Sequence, residues 1–155
     1  MTTYHRYILP GDALVTMNGL SACLTAFDTQ YSIEGECVMR GDDDCGILID
    51  ITHRGNDIFD GDIELLSGFA CAHTDADVLL AFLNDSTCMV TTQVVSYADE
   101  RVLDRLWTWL DDHFHGMLVY EGGLFASVGN HRTLAVDSLW QCVRNHFRRR
   151  SQSGG

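Results

Sequence analysis

A chain of 155 residues with 46 % apolar side chains, including seven Phe and three Trp, can bury a sizeable core, and this composition excludes general disorder. Its formal charge of −12 sets 22 Asp and Glu against 10 basic residues, all of them Arg, and the imbalance is uneven: up to residue 143 six Arg face all 22 acids, a net of −16, while Arg144, Arg148, Arg149 and Arg150 crowd the end. So negative a body repels nucleic acid and anionic membranes and attracts basic protein surfaces, and a chain without Lys can supply neither a Walker motif nor a Schiff base.

Residues 4–9 predict a first strand, stopped by Pro10-Gly11. The stretch 12–27 carries two signals. Asn18-Gly19 between apolar runs suggests a hairpin, whereas Leu14, Met17, Leu20, Leu24 and Phe27 recur at helical spacing behind Asp12 as an N-cap; the helix is the favoured reading. A strand is expected at 31–39, a turn at 40–44 and a second strand at 46–52, forming a hairpin. A polar loop at 53–61 and a strand at 63–72 follow, then an acidic cap at 74–77 and a short helix at 78–83.

The β-branched run at 88–96 predicts a strand, and 99–114 predicts a helix whose broad apolar face holds Val102, Leu103, Leu106, Trp107, Leu110 and Phe114, with Gly116 as its stop. Strands at 117–120 and 124–128 come next, joined by a turn at 121–123. A last helix is expected at 134–147, with Leu139, Trp140, Val143 and Phe147 inward. Together these elements predict an α+β domain at 1–150, a mostly antiparallel sheet packed on one face by two or three helices, and a disordered tail at 151–155.

No run approaches the ~20 apolar residues of a membrane span, and the first residues lack the basic and apolar segments of a secretory signal, so a cytoplasmic chain is expected. Its six cysteines are scattered without a Cys-x-x-Cys pair, which favours buried reduced thiols over disulfides or zinc. Other chemistry is weakly marked. The acids at 57–64 have the wrong spacing for a calcium loop. Asp111-Asp112-His113-Phe114-His115 ends a helix, where imidazoles serve as caps. Ser127 lacks a nucleophile elbow, and no signal lowers the pKa of any one thiol. Neither a cofactor, a metal ion nor a catalytic residue is expected.

The strongest functional signal is the stretch 34–77, which holds twelve acids and two Arg. Two knots stand out, Asp42-Asp43-Asp44 and the run 56–64, where Ile58 and Phe59 lie among acids. Apolar residues ringed by charge can form the anchor and rim of an interface. The expected partner-binding residues are therefore Asp42, Asp43, Asp44, Asp57, Phe59, Asp60, Asp62 and Glu64.

The segment from Gln93 to Asp99, the helix 101–114 and the run Gly116-Met117-Leu118-Val119-Tyr120-Glu121-Gly122-Gly123-Leu124 resemble a strand–helix–strand unit of small acidic bacterial immunity proteins that partner polymorphic toxins. The resemblance covers about a fifth of the chain and names no functional residue. It implies an inhibitor that occludes a basic toxin or nuclease surface without turnover. A phage-encoded inhibitor of a host defence nuclease fits the same charge. An acidic secretion chaperone, which would be dimeric, and a small hydrolase are also compatible with the sequence. A basic protein partner is expected, with no nucleic acid and no membrane, and self-association into a homodimer stays open.

Overall fold

The computed structural model describes residues 2–95 and 98–120 and, beyond them, a strand at Leu124–Ala126. The expected helix at 134–147, the tail at 151–155, the terminal Arg cluster, Ser127 and Cys142 lie outside the described residues.

Strand β1 (Thr2–Ile8) is followed by helix α1 (Met17–Phe27), so the helix prevails over the hairpin at 12–27. It begins later than expected, because Thr16 rather than Asp12 is the N-cap, its Oγ1 accepting from the Gly19 amide at 3.1 Å. The expected single strand at 31–39 is instead a hairpin of β2 (Tyr31–Glu34) and β3 (Cys37–Arg40). Gly35 makes the reversal by adopting a φ of +63°, a conformation open to glycine at little cost. Strand β4 (Asp43–His53) then returns alongside β3.

The largest departure from the sequence reading is at 53–72, where the expected loop and strand are replaced by one helix, α2 (Asp57–Cys71). Asn56 caps it, accepting from the Ile58 amide at 2.9 Å, and Asp57 and Asp60 occupy the first turn, where the helix dipole favours anions. Phe59, Ile63, Leu66 and Ala70 step by four, three and four residues and form its buried stripe. The interior glycines Gly61 and Gly68 each disfavour a helix by about 1 kcal/mol, which burial of that stripe offsets.

Helix α3 (Ala76–Asp85), strand β5 (Cys88–Val95), helix α4 (Glu100–Phe114) and strands β6 (Met117–Tyr120) and β7 (Leu124–Ala126) complete the described chain. Arg54 closes the C-terminus of α3: its Nε donates to the Ser86 carbonyl at 3.0 Å and its Nη2 to the Asn84 carbonyl at 2.9 Å.

The seven described strands form one sheet in the order β2-β3-β4-β5-β1-β6-β7, with every neighbouring pair antiparallel. The α+β class with its antiparallel sheet is thus as the sequence predicts, but the helices cover both faces rather than one. Alternation along the strands shows this directly. Tyr7, Val90 and Leu118 pack with Leu20 and Leu24 of α1 and with Leu106, Trp107 and Leu110 of α4. Their strand neighbours Ile8, Met89, Met117 and Val119 point the other way, against Phe59, Ile63 and Leu66 of α2 and Leu79, Phe82 and Leu83 of α3.

Asp99 ties the start of α4 to the hairpin at the sheet edge. It caps the helix through the Arg101 amide at 3.1 Å, accepts from the Arg101 side chain, and receives the Tyr31 hydroxyl at 2.7 Å. The Arg101 hydrogen bond, followed by that of Tyr31, holds its carboxyl down to about 2 against the desolvation that opposes them. An acid depressed in the folded state stabilises fully above its unfolded pKa of about 3.9 and loses that contribution as the pH falls towards the folded value. Because the Arg101 side chain is 75 % exposed, screening limits the contribution to about 1 kcal/mol. Asp99→Asn, which keeps a capping oxygen, is therefore expected to lose about that much at neutral pH and little below about pH 2. Urea titrations across this range check it; parallel pH profiles for the two proteins would contradict it.

Candidate functional site

The helices α2 and α3 cover only part of their face of the sheet. Beside α2, the part that the described residues leave uncovered forms a groove of about 260 Å³. Its floor is built by register. Asp50 of β4 pairs with Thr91 of β5, which pairs with Arg6 of β1; one step along, Leu48 pairs with Gln93, which pairs with Tyr4. Since side chains alternate along a strand, these six project from the face opposite Tyr7, Ile49 and Val90. They make one polar row, Asp50–Thr91–Arg6, and one more apolar row, Leu48–Gln93–Tyr4. Ile58 and Asp62 of α2 form the wall. Glu36 stands at the far rim, where its carbonyl accepts from the Ile49 amide at 2.8 Å and fixes the β2–β3 turn against β4.

Arg6 and Asp62 lock the wall to the floor. Arg6 donates from Nε at 2.8 Å and Nη2 at 3.1 Å to the two carboxylate oxygens, and both side chains are 17 % exposed. This two-point contact consumes the one cation that the described residues place in the groove, leaving Glu36 and Asp50 as excess negative charge. Asp50 is half-buried and forms no ion pair among the described residues. Beside it, Thr91 Oγ1 is buried and has no hydrogen-bond partner among them. Large apolar side chains nonetheless reach solvent here: Tyr4, Leu48 and Ile58 are 40, 37 and 60 % exposed. Ile58, Asp62, Leu65 and Phe69 fall at 0, 4, 7 and 11 along α2, so one flank of the helix extends this partly apolar strip beyond the groove, with Leu65 and Phe69 also exposed.

The residues expected from the sequence do not gather into one site. Asp42 lies in the turn before β4, and Asp43 and Asp44 begin that strand. The run 56–64 follows the other end of this eleven-residue strand, a separation of about 30 Å at the rise of an extended chain. Asp44 accepts from the Gly46 amide at 2.7 Å and so shapes the strand start. Asp57, Asp60 and Glu64 are exposed on α2, on the side away from its buried stripe, and Asp60 also accepts from the Gly55 amide at 3.2 Å. Only Asp62 reaches the groove.

Phe59 corrects the expectation of an exposed anchor: it is fully buried against the sheet, with the Arg54 guanidinium 5.5 Å from its ring centre. A helix turns by about 100° per residue, so Ile58 takes the outward position and Phe59 the inward one. Tyr4, Arg6, Leu48, Asp50, Thr91 and Gln93 were not expected from the sequence. The available signal was Asp50 amid Ile47, Ile49 and Ile51, which marks a strand with one apolar and one polar face.

The other candidate chemistry resolves into structure. The His113 ring bonds the Trp109 carbonyl at 2.8 Å, His115 takes the left-handed position that ends α4, and Asp111 accepts from the Tyr7 hydroxyl. Burial pushes the thiols of Cys23, Cys45 and Cys88 up, which keeps them protonated at neutral pH. Among the described residues no group of three or more His, Cys, Asp or Glu is placed to hold a metal ion, and no helix is long and apolar enough to cross a membrane. The chain matches no protein-family model, and neither a curated protein nor a solved structure shows significant similarity to it.

Proposed function

We propose that this protein is a cytoplasmic, immunity-type inhibitor that acts by binding: the groove beside α2 docks on a basic surface of a toxin or nuclease and occludes it. The observation that carries this reading is the placement of exposed Tyr4, Leu48 and Ile58 around the uncompensated carboxylates of Glu36 and Asp50. Apolar side chains gathered at one place on a surface favour a partner, and the surrounding charge selects which partner. A chain of net charge −12 repels a second copy of itself as it repels phosphate backbones, so a basic protein is the complementary occupant. Such a partner would set apolar contacts on the three exposed side chains and its cations among the acids, including Asp57, Asp60 and Glu64 on the outer face of α2. The distant Asp42, Asp43 and Asp44 would add long-range attraction rather than contact.

The test is capture of partners from cells of the protein's own source on the immobilised full chain, followed by assay of whatever is retained. The expected result is one basic protein held in stoichiometric amount at low salt, whose toxic or nucleolytic activity falls as the chain is added. The reading is overturned if no basic protein is retained at low salt, or if the retained protein keeps its activity when saturated with the chain.

A further inference from the structure

We propose that the groove receives an arginine side chain of the basic partner, with Asp50 as the acceptor, an inference that rests on the inhibitor reading above. Five features of the groove converge on a guanidinium. Asp50 is a half-buried carboxylate in mid-strand without an ion pair among the described residues, and removing such a group from water favours a cation that completes it. The cation of the groove itself is spent, since Arg6 is held on both oxygens of Asp62. Thr91, next to Asp50 in the same cross-strand row, lines the groove, and its Oγ1 has no hydrogen-bond partner among the described residues.

The groove, about 260 Å³, has room for a long side chain, and Tyr4 in the neighbouring row offers an aromatic face to a planar cation. A flat fork of donors suits a carboxylate beside a hydroxyl and an aromatic ring better than the compact, strongly hydrated ammonium of lysine. The incoming guanidinium would pair with Asp50, while the Arg6–Asp62 contact stays in place as the wall of the subsite.

The probe is N-acetyl-arginine amide, added to the isotope-labelled full chain and followed by amide chemical shifts, with N-acetyl-citrulline amide as the uncharged isostere. Saturable shifts are expected at Leu48, Ile49, Asp50, Thr91 and Gln93, at least about tenfold weaker for citrulline. Asp50→Asn should abolish them at unchanged melting temperature, and Asp50→Glu should restore them in part. Equal response to citrulline, an unchanged response in Asp50→Asn, or shifts centred on Asp57, Asp60 and Glu64 would each overturn the subsite. That failure is separate from failure of the inhibitor reading, which partner capture alone decides.

Discussion

Gly116→Ala is expected to cost this protein about 3–5 kcal/mol of folding stability at 25 °C. A Cβ built at this position would lie 2.2 Å from the Ile8 carbonyl oxygen and 2.7 and 2.9 Å from two atoms of the Tyr7 ring. The first obstacle is backbone of the interior strand β1, and the second is a fully buried ring stacked on Trp107, so neither can step aside as a flexible side chain would. The amide of Gly116 also donates to the Tyr7 hydroxyl at 2.6 Å, and moving the chain outward breaks that bond. Overpacking combined with a lost buried hydrogen bond costs about 3–5 kcal/mol, which consumes much of the 5–15 kcal/mol by which a typical domain is stable. The sequence reading placed Gly116 as the helix stop, yet the left-handed residue is His115, at φ +53°, and the glycine serves the close approach of β6 to β1. Equilibrium unfolding checks the effect; a variant within about 1 kcal/mol of the parent would show that the packing here is looser than described.

Phe59→Ala should cost about 3–5 kcal/mol in stability, while Ile58→Ala, one residue away, should cost under about 0.5 kcal/mol. Phe59 is wholly enclosed by the core that α2 and α3 share with the sheet, so its truncation leaves a cavity and removes the surface over which Arg54 sits. Ile58 is 60 % exposed, and its truncation leaves the fold intact. The order reverses for partner binding measured on folded protein, where Ile58→Ala should speed release about tenfold. Paired denaturation and binding measurements check both halves. A stable Phe59→Ala protein that releases its partner quickly would reinstate Phe59 as the anchor and contradict the orientation of α2.

The contrast between these neighbours shows where the sequence was readable. The strand β5 and the helix α4 announce themselves, one through its β-branched run and the other through an apolar face that is broad and capped at Asp99. Helix α2 is hard to see in the sequence because Gly61, Gly68 and a dense set of acids obscure the spacing of Phe59, Ile63, Leu66 and Ala70, although Asn56 stands in the N-cap position. The split of the helices between two faces is hidden for a related reason: with a loop and a strand expected at 53–72, only the short helix expected at 78–83 is left to cover the face of Ile8, Met89 and Val119. The groove itself was not legible. Asp50, Thr91 and Arg6 are far apart in the chain and meet only because β1 pairs between β5 and β6, a non-local choice that no short pattern encodes. Charge, by contrast, was legible as a total. Its distribution was not, since β4 carries the two acidic knots to opposite ends of the sheet.

The most direct measurement is the association and release kinetics of the captured partner with two full-length variants. In one, the groove loses its apolar contacts through Leu48→Ser and Ile58→Ser; in the other, the outer face of α2 is neutralised through Asp57→Asn, Asp60→Asn and Glu64→Gln. The groove variant is predicted to release the partner at least about tenfold faster with little change in association. The outer-face variant should associate a few-fold more slowly, lose part of its salt dependence and release at the parent rate. Unchanged release from the groove variant, with binding abolished by neutralising the outer face, would contradict the groove as the docking surface.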